Sequence, residues 1–169
     1  MILVTHAVGG AAASLLLKTH PVLGFFAGFA SHFVLDAIPH YIYPLSSITK
    51  DESDPITHDH MVLQGRRFKI DLLKTGVDFG LGLVITALAI RHAGSDLLYP
   101  ALIGAVGGVA PDTLHLAYYI FPHSFLRHIE KFHLWIHGGP PHHIQNRPVI
   151  GIVSQLLILL TFTAVLYLS

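Results

Sequence analysis

The chain of 169 residues has no cysteine and few charges. The missing cysteine excludes disulfides, thiolate metal sites and cysteine nucleophiles. Any metal here must be held by nitrogen and oxygen. Lys, Arg, Asp and Glu make up only 12% of the residues, against about 25% in an ordinary soluble domain. Formal net charge is zero with histidine neutral, so no basic field points to nucleic acid. No low-complexity tract interrupts the chain.

What is present is apolar length and histidine. Mean hydropathy is +0.59, 52% of residues are hydrophobic, and 14 are histidine beside 10 acids. Five apolar segments stand out, at 2–17, 21–38, 68–90, 97–121 and 149–168. A crossing needs about 20 residues, with about 17 at the short end. The first segment spans only about 24 Å as a helix. It lacks a basic stretch before it and carries His6, so it reads as a first membrane helix, not a cleaved signal. A polar loop at 41–67 and a histidine-rich stretch at 123–147 separate the later segments. Residues 123–137 suit a short amphipathic helix at the membrane surface, broken by Gly138-Gly139-Pro140-Pro141. The expectation is therefore a single all-α domain over 1–169: a polytopic membrane bundle of about five transmembrane helices plus one interfacial helix.

Five crossings would put the N-terminus and both polar loops on one side. Lys50, Arg66, Arg67, Lys69, Lys74, Arg127, Lys131 and Arg147 fall there, and only Lys18 and Arg91 fall opposite. The positive-inside rule makes the richer side cytoplasmic. Most histidines also lie toward it, His20 and His92 excepted.

His6, His32, Asp36, Asp78, Asp112 and His115 interrupt the apolar segments themselves. A charge at mid-bilayer costs at least about 2.5 kcal/mol, so such residues mark a functional site. At the helical rise, His32, Asp78 and Asp112 share a depth of roughly 12–15 Å from the cytoplasmic end. His32 and Asp36 are four apart and Asp112 and His115 three apart, so each pair shares a helix face. Gly24 and Gly28 precede one pair on its stripe; Gly104 and Gly108 precede the other. Small residues at that spacing let membrane helices approach closely. The two stretches also align, as do His6-x-x-x-Gly10 and Asp78-x-x-x-Gly82. A parallel two-helix repeat with halves near 1–40 and 68–121 follows.

Imidazoles and carboxylates on facing helices suit zinc, with manganese or magnesium as alternatives. Such an ion turns bound water into a nucleophile. Asp78 then reads as a further ligand or the general base. His40, behind the break at Pro39, reads as a catalytic or ligating residue or an interface residue. Pro111 should kink the helix before Asp112. His58-Asp59-His60 can form a lid or a solvated loop. Asp71 is expected among headgroups, as are His128, His133 and His137 unless they form a plain amphipathic face. Tyr118, Tyr119 and Trp135 suit an aromatic belt.

Ser31-His32-Phe-Val-Leu-Asp36-Ala-Ile-Pro39-His40 and Gly108-Val-Ala-Pro111-Asp112-Thr-Leu-His115, after His6, resemble the membrane-bound metal-dependent hydrolases. These are proteins of the prokaryotic cytoplasmic (inner) membrane whose pattern is also similar to zinc-dependent phospholipase C. The resemblance covers roughly residues 1–120. It implies that His32, Asp36, Asp112 and His115 bind metal, with His6. The chain departs from that pattern in lacking a His-Arg-x-x-Thr-His segment, for which His128 and His133 are the available substitutes. The expected activity is hydrolysis of a lipid or membrane-proximal ester, a phosphoester first. Two other classes fit intramembrane His and Asp: a divalent-cation or proton transporter, and a haem-binding anchor held by His32 and His115, or a non-catalytic scaffold.

Overall fold

A computed structural model describes residues 1–91, 95–121, 123–137 and 148–169. Its helices are α1 (Leu3–Ser14, continued by a 3-10 turn at Leu15–Leu17), α2 (Pro21–Asp36), α3 (Gly65–Ile90), α4 (Ser95–Ile120), α5 (Ser124–Ile136) and α6 (Pro148–Tyr167). The protein is all-helical apart from one small hairpin. There β1 (Ile48–Lys50) pairs antiparallel with β2 (Asp59–Met61), Thr49 opposite His60. The sequence reading treats this stretch only as a polar loop. The expected Gly138–Pro141 break, His92, His142 and Arg147 lie outside the described residues.

Among the described residues three helices are long and apolar enough to cross a membrane: Gly65–Ile90, Asp96–Ile120 and Pro148–Tyr167. That is fewer than the five expected. The first two apolar segments form shorter helices, Leu3–Leu17 and Pro21–Asp36. At 1.5 Å per residue neither reaches the roughly 30 Å of a hydrocarbon core. Hydropathy registers apolar residues, whereas the helix at the second segment stops at Asp36, three residues before Pro39. The residue preceding a proline is steered out of helical conformation.

The shortest of the long-axis elements sits at the centre. Every α1 residue from Val4 to Ala12 is buried, and α2, α3, α4 and α6 all pack on it. Ala7, Val8 and Ala11 meet Ala89, Ile90, Ala101, Ala105 and Leu166. Glycines bring α4 against both short helices. A Cβ on Gly28 would strike the Gly104 carbonyl, and one on Gly108 would strike the His6 carbonyl. The glycine stripes thus sit where the backbones are closest. Outward, α3 and α6 expose Val77, Leu81, Val84, Leu156, Leu157 and Leu160, an apolar surface suited to lipid.

α1 begins without a side-chain cap of its own. Asp78 of α3 supplies one, accepting from the Leu3 and Val4 amides at 2.7 and 3.2 Å. A carboxylate there meets unpaired amides and the positive end of the helix dipole. Gln155 of α6 accepts from the Ile2 amide and donates to the Tyr41 carbonyl. These bonds fix the start of α1 between α3, α6 and the loop after α2.

Candidate metal centre

The last turn of α2, the start of α1, the middle of α4 and one edge of α5 meet at one end of the bundle. Asp36 lies at the focus, fully buried. Its Oδ2 faces three imidazole Nε2 atoms: His32 at 2.8 Å, His137 at 3.0 Å and His133 at 3.2 Å. Its Oδ1 faces His6 Nε2 at 3.1 Å and the Met1 amine at 2.8 Å. His40 Nε2 stands farther off, at 3.9 Å. Asp112 Oδ1 lies 3.8 Å from His32 Nε2 and 4.0 Å from His133 Nε2. His6 and His32 stack, ring centroids 3.9 Å apart.

The tautomers carry the chemical argument. His32 Nδ1 is 2.8 Å from the Gly108 carbonyl. A carbonyl only accepts, so Nδ1 carries the proton and neutral His32 offers the lone pair of Nε2. That lone pair points at a carboxylate oxygen and at His133 Nε2, 3.2 Å away. His133 Nε2 in turn lies 3.1 Å from His137 Nε2. An imidazole lone pair 2.8 Å from a carboxylate oxygen needs a proton or a metal ion between them, whereas the Nε2–Nε2 contacts are ordinary hydrogen bonds where one partner carries its proton there. A ligating histidine typically gives its other ring N–H to a carbonyl or carboxylate, and His32 follows that pattern. His40 does too, its Nδ1 donating to the Ile38 carbonyl at 2.7 Å. Burial lowers the His40 pKa to about 4. It also lowers that of His133, outweighing the hydrogen bond to Asp36 that opposes it. Both therefore favour the neutral, ligand-competent form.

On the α5 side, His115 Nδ1 is 2.8 Å from Glu130 Oε2. Glu130 Oε1 and Asp112 Oδ2 are buried with no hydrogen-bond partner among the described residues, as is Nδ1 of His6. Four groups are placed to hold a metal ion: His6, His32 and Asp36; His32, Asp112 and His133; Asp36, His133 and His137; and His115, Glu130 and His133. They overlap through His32, Asp36 and His133. The orphaned oxygens and the cluster of nitrogen and oxygen donors fit a metal cation.

The structure brings together His6, His32, Asp36, Asp112 and His115, the residues expected as ligands, with His40 at the edge. It does not bring Asp78 to them. Asp78's oxygens are taken by the Leu3 and Val4 amides and the Tyr43 hydroxyl. Asp71 does not reach headgroups either; it accepts from the buried Ser47 amide at 2.7 Å. Tyr118 is buried and donates to Asp54, so it joins no belt. His58 lies in the hairpin loop at φ 54°, and the His58–His60 segment is tied into the β1–β2 pairing.

The sequence offers His133 as a substitute for the missing segment, leaves His133 and His137 otherwise to headgroups or a plain amphipathic face, and does not single out Glu130. These three follow spacings of three and four, which put them on one stripe of α5. That spacing was the available signal. His128 falls off the stripe, is exposed, and bonds only to the Ser124 carbonyl. The chain matches no family model, no curated protein and no solved structure.

Proposed function

We propose that this protein is a membrane-embedded, metal-dependent hydrolase acting on a lipid or membrane-proximal ester, a phosphoester first. The observation that carries the reading is the convergence of imidazole Nε2 atoms on the buried Asp36 carboxylate at one end of an apolar bundle. His6, His32, Asp36, His133 and His137 would hold the ion, with Asp112, His115 and Glu130 beside them. The preferred ion is zinc, with manganese or magnesium next. A divalent ion there supplies a nucleophilic water near neutral pH and polarises a phosphoryl oxygen.

The chain's own groups do the rest. Gly108 fixes the His32 ring through its carbonyl. Glu130 orients His115 with Oε2, leaving Oε1 to take a proton from water. That role passes to Glu130 because the Asp78 oxygens are already engaged. His40 flanks the ion-binding set as an accessory ligand or proton acceptor. The resemblance to membrane-bound hydrolases through His32, Asp36, Asp112 and His115 motivates the same activity class.

In this reading α1 and α2 also lie within the bilayer, giving five membrane elements with α5 along the surface. In this reading the cluster end, which carries most of the basic residues, lies at the cytoplasmic face of a prokaryotic inner membrane. Transport is the weaker reading. Beyond the cluster α1 is sealed by Ala7, Val8, Ala11, Ala101 and Ala105, each 0% exposed, which favours a one-sided site. Haem anchoring is weaker too, since His32 Nε2 is closely packed by Asp36 and His133, 2.8 and 3.2 Å away, where a porphyrin would have to sit.

Metal analysis of the purified protein, followed by phospholipid turnover with and without chelator, tests the proposal. Bound zinc and chelator-sensitive turnover are expected, both lost in the His32→Ala and Asp36→Asn variants. A folded protein that stays metal-free after zinc supplementation ends the reading.

A further inference from the structure

α5 has two unlike sides. One turns Glu130 and His133 inward, with His137 just past its end, and all three are buried. The other leaves Phe125, Phe132 and Trp135 exposed at 67%, 46% and 72%. Arg127 and Lys131, four residues apart, form an exposed stripe next to the aromatic side. Neither forms an ion pair among the described residues. Within the protein α5 makes several polar contacts. These are Glu130 to His115 and His133 to Asp36 and His32, with the Phe132–Phe33 ring contact beside them. Trp135 touches only the neighbouring Phe132 ring among the described aromatic pairs.

The position of α5 says what covers the aromatic side. α4 is apolar enough to cross a membrane and ends at Ile120, and α5 starts at Ser124. Four residue steps span at most about 14 Å, so α5 begins near the level where α4 leaves the hydrocarbon. Aromatic rings beside cations at that level match the boundary between acyl chains and phosphate headgroups. A second copy of the chain would not need the cation stripe, whereas an anionic lipid surface complements it.

We propose that the Phe125–Phe132–Trp135 side of α5 is seated in the headgroup boundary of an anionic phospholipid bilayer, with Arg127 and Lys131 on the phosphates. The lipid then holds the opposite, Glu130- and His133-bearing side over the buried cluster. α5 is thus pinned from two directions, by the cluster within and by the membrane without. This seating does not require an ion in the cluster, so it stands or falls separately from the hydrolase reading.

Trp135 is the sole tryptophan, so its fluorescence reports this face alone. The full chain is reconstituted in nanodiscs of phosphatidylcholine with or without phosphatidylglycerol. The acyl chains carry bromine either near the headgroup or near the terminal methyl. Bromine near the headgroup is expected to quench Trp135 more strongly than the deeper bromine, and aqueous acrylamide to quench it weakly. Strong acrylamide quenching without lipid quenching would mean a water-facing helix and overturn the proposal. Quenching by neither agent would mean coverage by protein, a second copy included, and would equally overturn it. Arg127→Gln with Lys131→Gln should reduce lipid quenching only in phosphatidylglycerol discs; no difference removes the anionic partner. Amide exchange across α5 should be about thirtyfold slower in phosphatidylglycerol discs than in a maltoside detergent, from two cations near the surface. Equal exchange in both would show that lipid does not hold the helix.

Discussion

Asp36 and Asp78 are two carboxylates in the same bundle, within one chain turn of the start of α1, and they are met by opposite kinds of neighbour. Asp78 is surrounded by donors: two α1 amides and the Tyr43 hydroxyl. Its charge is answered and nothing more is needed there. Asp36 has the Met1 amine on Oδ1 but is otherwise surrounded by ring nitrogens, and on its Oδ2 side neutral His32 brings a lone pair. Asp71 and Asp54 follow Asp78, since backbone amides of Ser47, Ile56 and Thr57 close onto them. Burial and depth therefore do not separate a structural carboxylate from a ligand. The partners do: amides and hydroxyls complete an anion, whereas imidazoles leave room for a cation.

The comparison can be broken by exchanging charge at each position. Asp36→Asn should lower metal retention more than about tenfold, the scale at which even outer partners of a metal site act, while circular dichroism stays helical. Metal content by mass spectrometry after dialysis checks it. Asp78→Asn should do the reverse. It leaves metal content unchanged and costs about 1.5–3 kcal/mol in denaturant unfolding, the range for hydrogen bonds to a charged group. Loss of metal in Asp78→Asn, with Asp36→Asn only destabilised, would invert the assignment of the two residues.

Two smaller effects sharpen the contrast. Burial raises the Asp54 pKa, but bonds from Ile56, Tyr118 and Thr57 outweigh it and leave it below the ordinary 3.8. A depressed native pKa stabilises above the unfolded value and is lost as pH falls through the native one. Docking of the hairpin on Tyr118 should therefore loosen only below about pH 4, and Asp54→Asn should remove that acid transition. Exchange of the Ile56 and Thr57 amides against pH measures it. Least affected is Lys74→Ala. Lys74 is 46% exposed and 3.4 Å from Asp71, and an exposed pair contributes under about 1 kcal/mol. The Ser47 amide keeps Asp71 in place, so the melting curve should barely move.

The residues of the cluster divide by how far the sequence reveals them. His6, His32, Asp36, Asp112 and His115 are visible because a polar side chain inside an apolar helix is costly and draws notice. Asp78 draws the same notice and is misleading. What distinguishes it is the start of α1 arriving beside it, a tertiary fact with no local trace. Glu130 and His133 are hidden for another reason. α5 is amphipathic all along, and an amphipathic pattern does not state which side turns inward. The spans show the same limit. Hydropathy marks 2–17 and 21–38 as apolar, but helix length is set by where Pro39 and the 3-10 turn after Ser14 stop each one. The glycine stripes were legible because close backbone approach leaves no space for a Cβ at Gly28, Gly104 or Gly108.

The burial of α1 by α2, α3, α4 and α6 bears on how the protein is made. A helix that short, with His6 in it, gains little from lateral release into lipid by itself. It is best retained until its wrapping neighbours have emerged. α6 is translated last among them, and its Gln155 clasps the Ile2 amide. Assembly of the pocket around His6 should thus be a terminal event of biogenesis, and chains arrested before α6 should present α1 to quality-control proteases.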